Sequence, residues 1–230
     1  MPGKSIFSRI ARRAATKLKL LSKGFRYRAI LRYVDIDGWL SVEEAVLLYD
    51  LARSLPDDGP VLVEIGSWQG KSSLVLAKAI RRKNSPKLYC IDPFSADGDA
   101  VSKTGYEKRK VELRRPLKDV FLDNMKRAGV DDLVTVVEGY SFSFAKKFFD
   151  PIDLVFIDGN HEYDAVLQDF CDWSPLVKPG GIIAFYDVNK SPTATKRGPK
   201  LVVEQRILGS VQWTDTQQVG SLFVARRATL

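Results

Sequence analysis

The sequence is poor in cysteine and histidine. Its 230 residues include two cysteines, Cys90 and Cys171, and a single histidine, His161. Both cysteines lie among apolar neighbours, which is typical of reduced core residues and not of a disulfide or a metal-binding pair. This pattern favours a reducing compartment, and we expect a cytoplasmic protein.

Long apolar stretches and the common triphosphate-binding motif are also missing. No run of about eighteen apolar residues occurs, so we expect no transmembrane helix. No Gly-x-x-x-x-Gly-Lys-Ser/Thr loop occurs either, which argues against ATP or GTP as a ligand. The composition, 45% hydrophobic and 28% charged, is that of a globular protein able to bury a core.

Acidic residues are absent from residues 1–34, which contain ten lysines and arginines. The formal net charge of +8 therefore resides in this leader. Because the remainder is close to neutral, the high isoelectric point does not predict a nucleic-acid partner.

Residues 5–22 have the pattern of a basic amphipathic helix. Three alternatives are open for it: it packs on its own domain or on a second subunit, lies on an anionic membrane surface, or is an organellar transit peptide. We divide the chain into a basic helical segment, residues 1–37, and a second domain, residues 38–230.

The segment from Val61 to Ser73 predicts a strand, a glycine turn and a helix. Val61–Ile65 is apolar like a buried parallel strand, and Gly66 and Gly70 follow before a helical pattern begins. Backbone N–H groups at such a turn bind anionic or polar ligands. Glu64, near the strand end, is a candidate acceptor for a ligand hydroxyl or ammonium.

Strand and helix patterns alternate along the rest of the chain. Strands are predicted at 61–65, 87–92, 134–137, 153–157 and 182–186, followed by a hairpin of 211–216 and 221–226. Helices are predicted after a capping pair at Ser41 and Glu44, at about 70–83, at 107–128 with a break at Pro116, at 162–175 and at 199–209. The fold class is therefore α/β, a Rossmann-like seven-stranded mostly parallel sheet with a C-terminal antiparallel hairpin and helices on both faces.

Polar residues follow the predicted strands. Asp92 ends the second strand, where nucleotide-binding folds hold a ribose diol. Asp158 and Asp187 end two neighbouring strands, and their carboxylates repel unless a cation lies between them or one is protonated. Oxygen ligands at strand ends suit Mg²⁺, and Asn189 is a candidate carbonyl ligand. His161, with an ordinary pKa near neutrality, is a candidate general base.

Two further regions are candidates for acceptor binding. The connection 93–106 is interpreted as a substrate or lid loop, with a surface insertion as the alternative. Aromatic residues that could line an acceptor pocket are Trp39, Tyr106, Trp173 and Tyr186, although Trp173 has the spacing of a core residue.

Four motifs in order resemble those of class I S-adenosylmethionine (SAM) methyltransferases. They are Glu64-x-Gly66-x-x-x-Gly70, Asp92, Phe156-Ile-Asp-Gly-Asn-His-Glu-Tyr163 and Lys178-Pro-Gly-Gly-Ile-Ile-Ala-Phe-Tyr-Asp187. The chain is most similar to small O-methyltransferases, including sugar and polysaccharide methyltransferases, over about residues 38–226. The resemblance implies SAM as cofactor, bound by Glu64, Gly66, Ser67, Gly70, Ser72, Asp92, Tyr140, Ser141 and Asp158.

The chain departs from this family at three positions. Trp68 stands where the family has a second glycine. Related sugar methyltransferases often carry an acid at the position of Asn160 and a second acid after Asp187, where this chain has Val188. The ligand set implied for Mg²⁺, Asp158, Asp187 and Asn189, is thinner, so metal-assisted and metal-independent catalysis both stay open.

The resemblance implies a SAM-dependent O-methyltransferase with His161 and Asp158 as catalytic residues and Mg²⁺ as a candidate second cofactor. The expected acceptor is a small hydroxylated molecule, a sugar, glycan or phenol. A homodimer and peripheral membrane contact through residues 1–34 are further expectations. The alternatives are a nucleic-acid methyltransferase, which the Asp158-Gly-Asn-His segment disfavours, and a non-catalytic SAM-binding module tethered by its leader. A nicotinamide-linked dehydrogenase is disfavoured by the missing middle glycine and the terminal hairpin.

Overall fold

The protein is represented by a computed structural model, which describes residues 6–96, 98, 103–189 and 198–229. A seven-stranded sheet lies at its centre, with the strand order β3-β2-β1-β4-β5-β7-β6. The strands are β1 (Val61–Ile65), β2 (Lys87–Asp92), β3 (Val134–Glu138), β4 (Ile152–Ile157), β5 (Val177–Phe185), β6 (Trp213–Val219) and β7 (Leu222–Arg227). Strands β1 to β5 pair in parallel, and β7 is antiparallel to both β5 and β6. The predicted fold class is confirmed.

Helices cover both faces of the sheet, because alternate strand residues point to opposite sides. The helices are α1 (Ile6–Ser22), α2 (Val42–Arg53), α3 (Lys71–Ile80), α4 (Lys103–Leu113), α5 (Leu117–Ala128), α6 (Ser141–Ala145), α7 (Tyr163–Trp173) and α8 (Gly198–Val202), which a π-helical turn, Val203–Ile207, extends. Leu62 packs in the apolar cluster beneath α2, α3 and α5, and Val63 packs in the cluster beneath α7 and α8.

The register of the parallel strands brings the predicted site residues to one edge. Ile65 pairs with Ile91 on one side and with Ile157 on the other. The residues after these strands therefore lie at the same carboxyl edge of the sheet. The chain order reverses between β1 and β4, which is where open α/β sheets form a ligand-binding crevice.

The predicted capping pair is confirmed and connects distant parts of the chain. The Ser41 N–H donates to Glu44 Oε2 at 2.8 Å, and the Glu44 N–H donates to Ser41 Oγ at 3.3 Å. Glu44 is buried and also accepts from the Ser221 N–H at 2.8 Å and from the Tyr186 hydroxyl at 3.0 Å. One carboxylate thus joins α2 to β5 and to the terminal hairpin.

The sequence pattern missed a 3-10 segment, Phe25–Asp35. Its buried residues Tyr27, Ile30 and Tyr33 recur every three positions, which matches three residues per 3-10 turn and not the α-helical period. They join the apolar cluster beneath α2 and α3. Strand β5 also begins at Val177, five residues earlier than expected. The division of the chain at residue 37 stays a prediction.

Candidate active site

The turn after β1 requires glycine at position 66. Gly66 has φ +86°, and a Cβ added there would lie 2.1 Å from the carbonyl oxygen of Asp158. The Gly66 N–H donates to the Ile91 carbonyl at 2.9 Å. The absence of a side chain therefore lets the ends of β1 and β4 approach each other at the centre of the crevice.

Glu64 lies beneath this turn and is fully buried. Its carboxylate accepts from Ser67 Oγ at 2.8 Å and from Ser73 Oγ. Burial raises the pKa of Glu64, which the serine hydroxyls oppose. Glu64 thus holds Ser67 of the turn and Ser73 of α3, and its direct contact with a ligand stays a prediction.

Trp68 occupies the position of the second glycine with a left-handed backbone, φ +48°. Its N–H donates to Asp92 Oδ2 at 2.8 Å, and the Phe94 N–H donates to Asp92 Oδ1 at 2.6 Å. Burial raises the pKa of Asp92, and these backbone donors partly offset the effect. Asp92 thus ties the first turn to the end of β2.

Two cavities meet in the crevice. The β2 cavity, about 360 Å³, is lined by residues that include Ile91, Asp92, Tyr140, Ser141, Asn160 and Asp169. The β5 cavity, about 400 Å³, is lined by residues that include Trp39, Ser67, Lys71, Ser72, Arg109, His161, Tyr186 and Asp187. Both cavities share Gly66, Trp68, Tyr106 and Asp158.

Three predicted site residues do not line these cavities. They are Glu64, Gly70 and Asn189. Gly70 precedes α3 with φ +88°, and a Cβ there would lie 2.5 Å from the Met125 methyl group, so glycine leaves room for α5 to pack. Asn189 is exposed and donates to the Gly220 carbonyl at 2.8 Å.

The β2 cavity contains an acid that sequence reasoning missed, Asp169. It is 6% exposed and accepts from the Ser141 hydroxyl. Burial raises its pKa to about 6, and the hydrogen bond from Ser141 opposes the rise. The sequence signal was an acid between Val166 and Trp173, on the buried stripe of α7.

The predicted catalytic residues come together in the β5 cavity. His161 Nε2 lies 3.7 Å from Asp158 Oδ1 and 3.6 Å from Asp187 Oδ2. Asp187 has a left-handed backbone, φ +59°. Burial raises the pKa of Asp158 to about 7; His161 lowers it in part, and the charge of Asp187 adds to the rise. Two features thus reduce the repulsion between the carboxylates: the imidazole near both of them, and the proton that Asp158 keeps below about pH 7.

The donor set does not fit Mg²⁺. Within residues 6–96, 98, 103–189 and 198–229, no group of three or more His, Cys, Asp or Glu residues could hold a metal ion. His161 lies between Asp158 and Asp187, and the Asn189 amide donates to the Gly220 carbonyl. Mg²⁺ prefers near-octahedral oxygen ligands, which this arrangement does not supply. The predicted metal site is therefore not supported.

Aromatic residues form the outer wall of the β5 cavity. The rings of Trp39 and Tyr106 pack edge-to-face with centroids 5.3 Å apart. The Arg109 guanidinium lies 4.5 Å above the Trp39 ring and pairs with Asp37 at 2.5 Å. The Tyr186 hydroxyl donates to the Trp39 carbonyl at 2.8 Å. Of the four aromatic candidates for an acceptor pocket, Trp173 is fully buried in the core.

Part of the predicted acceptor region is not included in the structure. The connection 93–106 contains residues outside the described ranges. Within this connection, Tyr106 faces both cavities. The alternative between a substrate loop and a surface insertion stays a prediction.

Comparison with known proteins identifies a protein family for this chain. Residues 63–188, more than half of the chain, match a family model described as "Methyltransferase domain". Uncharacterized protein R132 of Acanthamoeba polyphaga mimivirus is 29% identical over 141 residues. That match covers 61% of this chain and 57% of the mimivirus protein, so the chain spans a little over half of this relative.

Solved structures share the fold. The O-methyltransferase TomG from Streptomyces achromogenes, in complex with SAM, has a TM-score of 0.60 and 22% identity, and the match covers 88% of this chain and 89% of TomG. An O-methyltransferase from Bacillus cereus in complex with SAH, the demethylated form of SAM, has a TM-score of 0.59 and 17% identity, with 93% and 91% covered.

The family match covers the glycine turn, Asp92, His161 and both strand-end acids of the crevice. These are the residues around which the sheet builds its two cavities. The chain therefore belongs to the methyltransferase-domain family, and its fold is that of the class I SAM-dependent methyltransferases.

Proposed function

We propose that this protein transfers the methyl group of SAM to a hydroxyl of a small acceptor. The observation that carries the proposal is the meeting of two cavities at Asp158, with His161 between two carboxylates on one side only. A bound cofactor would fill the β2 cavity and reach the junction. The acceptor would then enter from the β5 cavity, beside the imidazole.

The β2 cavity suits the nucleoside half of SAM. Asp92 lies at the end of β2, where a ribose diol is held in related sheets. Asp169 can accept a hydrogen bond from the exocyclic amine of adenine, and Tyr140, 52% exposed, offers a ring for stacking. Backbone N–H groups near Gly66 and Ser67 would bind the methionyl end.

The chemical step is an in-line displacement at the methyl carbon. The acceptor oxygen forms a bond to carbon while the carbon–sulfur bond breaks, and the electron pair stays on sulfur to give neutral SAH. The imidazole of His161 accepts the hydroxyl proton. Asp158 and Asp187 orient the ring and stabilise its protonated form, as opposite charges within about 4–6 Å do.

The outer wall of the β5 cavity supports a ring-shaped acceptor. Trp39 is 45% exposed and offers a face on which a sugar or a phenol can stack, beside Tyr106. The arrangement of donors gives no role to Mg²⁺, so we propose metal-independent catalysis. Among the described residues that line the two cavities, no feature favours the nucleic-acid alternative.

The first test is calorimetric titration with SAM and SAH, followed by turnover of sugars and phenols with and without EDTA. We expect SAM binding and turnover that EDTA does not change. Failure to bind either SAM or SAH would overturn the proposed function. Turnover abolished by EDTA and restored by Mg²⁺ would overturn metal-independent catalysis.

The second test is His161→Ala. We expect turnover to fall by about 10²–10⁴-fold, the usual contribution of general-base catalysis, with SAM affinity retained because His161 lies in the β5 cavity. The matched control is Gln168→Ala, a change in the wall of the β2 cavity alone, which should leave the proton transfer intact. Near-normal turnover of His161→Ala would exclude it as the base.

A further inference from the structure

Helix α1 exposes an apolar stripe. Ile10 is 59% exposed, Leu18 is 68% exposed and Leu21 is 37% exposed. With Ala14 these residues recur at intervals of four, four and three, which places them on one side of the helix. Leu20, on a different side, is fully buried against the body of the protein. The stripe therefore stays exposed to solvent although α1 is packed on the body of the protein.

The 3-10 segment extends this apolar surface. Phe25, at its start, is 78% exposed, and the Arg28 guanidinium lies 5.8 Å from the centre of its ring. We call the exposed residues Ile10, Ala14, Leu18, Leu21 and Phe25 the α1 stripe. Single exposed apolar residues are ordinary, but several on one side of a helix mark an interaction surface.

The charges around the α1 stripe are of one sign. Residues 1–34 contain no acid, and Arg9, Arg12, Arg28 and Arg32 are exposed. Acids that pair with cations of this region come from beyond it: Asp35 pairs with Lys17 at 2.8 Å, and Glu43 pairs with Lys19 at 2.9 Å. These pairs attach the helix to the body and leave the arginines to face solvent.

We propose that the α1 stripe docks on the surface of an anionic lipid bilayer. Apolar side chains of an interfacial helix enter the boundary between head groups and acyl chains, and flanking arginines attract anionic head groups. Within the described ranges, no helix is long and apolar enough to cross a bilayer, so the contact is peripheral. This surface is independent of the crevice, and the inference goes beyond the proposed function.

Charge favours a bilayer over a second copy of the chain. A two-fold contact places the same patch of both subunits face to face. Through the α1 stripe it would bring Arg28 of each copy, whose guanidinium lies beside Phe25, towards a surface that contains no acid of residues 1–34. Like charges at such an interface oppose association, whereas anionic lipids neutralise them.

The test is cosedimentation of the full chain with phosphatidylcholine vesicles, with and without phosphatidylserine. We expect binding only when phosphatidylserine is present, and weaker binding as salt increases. The double variant Ile10→Glu/Leu18→Glu should bind at least about tenfold more weakly, because it removes two inserted side chains and adds negative charge. Val211→Glu, a control at a 79% exposed apolar residue outside α1, should bind like the unmodified chain.

Specific outcomes would overturn the proposal. They are absence of binding to the phosphatidylserine vesicles, or equal loss of binding in the double variant and in Val211→Glu. A concentration-dependent dimer in sedimentation equilibrium without lipid, converted to monomer by the double variant, would instead assign the α1 stripe to a second copy. Thermal unfolding of each variant, expected to match the unmodified chain, excludes loss of folding as the cause.

Discussion

On the β2 side of the crevice, the acids near the glycine turn are hydrogen-bonded to the turn itself. Asp92 accepts from two backbone N–H groups, and Glu64 accepts from two serine hydroxyls. On the β5 side, Asp158 and Asp187 instead face the imidazole of His161. The hydrogen bonds of the first arrangement fix the conformation of the turn. The second arrangement brings together groups that can exchange a proton.

This difference separates two kinds of site. A surface made from backbone is preorganised and binds a ligand without moving charge, which suits a cofactor common to many acceptors. A cluster in which an imidazole lies near two carboxylates supports acid–base chemistry. The comparison predicts that changes on the β2 side alter folding and cofactor affinity, and that changes on the β5 side alter turnover.

The largest expected effect is that of Gly66→Ala. The added Cβ would lie 2.1 Å from the Asp158 carbonyl oxygen, and backbone atoms cannot move aside as a flexible side chain can. We expect a loss of about 3 kcal/mol or more in the free energy of unfolding, from overpacking and a left-handed backbone, together with loss of SAM binding. Denaturant unfolding and calorimetry measure the two effects.

Gly129→Ala is the matched control for this prediction. Gly129 also has a positive φ, +62°, but no described atom would lie within 4 Å of an added Cβ. We expect a cost of about 1 kcal/mol from the backbone conformation alone, with SAM affinity unchanged. Equal costs for the two variants would show that the approach of β1 and β4 is not what requires glycine.

The Gly66 turn illustrates what a sequence can predict. A short apolar strand, a glycine and an acid at the next strand end are local patterns, and the parallel register then brings them to one edge. The burial of Glu64 beneath Ser67 and Ser73 is not part of this local pattern, because it depends on how the two serines fold over the carboxylate. A motif records which residues recur at a turn, but it does not record which of them point inwards.

The β5 cavity was less predictable because it is built from distant segments. Trp39 comes from the connector before α2, Tyr106 comes from α4, and both meet a strand-end cluster more than fifty residues further along. Asp158, His161 and Asp187 were found because strand ends converge. Asn189 is hydrogen-bonded to Gly220 in the terminal hairpin, a contact that no local pattern specifies.

The second prediction concerns Asp158→Asn. The pKa of Asp158 is raised to about 7 in the folded protein, so the folded state holds a proton that the unfolded chain has released. Stability from this group is present at low pH and is lost as pH rises through about 7. We expect the amide to raise the free energy of unfolding by about 1–3 kcal/mol at about pH 8, and by less at about pH 5, while turnover falls.

Unfolding in denaturant at the two pH values, without SAM, tests this prediction. A stabilisation that does not change with pH would mean that ionisation of Asp158 is not its cause. Preserved turnover would mean that the carboxylate neither orients His161 nor stabilises its protonated form. Either result would weaken the contrast between a shaped β2 side and a proton-exchanging β5 side.

The smallest expected effect is that of Asp169→Asn, and it tests whether the β2 side is only a shape. The carboxylate accepts from Ser141 and, on the proposed function, would also accept from the adenine amine, whereas an amide can also donate. We expect SAM affinity to fall about tenfold, the usual cost of one hydrogen bond to a charged group, with the turnover of bound SAM preserved. A SAM analogue with a carbonyl in place of the adenine amine should lose less affinity in this variant, because the new amide can donate to it.

Burial raises the pKa of Asp169 to about 6, so SAM binding to the unmodified protein should weaken as pH falls through that value, and Asp169→Asn should remove this dependence. Ser141→Ala is the control for the loss of the internal hydrogen bond alone. If Asp169→Asn discriminates the two bases no better than Ser141→Ala, the carboxylate serves only to fix the turn, and the β2 side is a shape without base recognition.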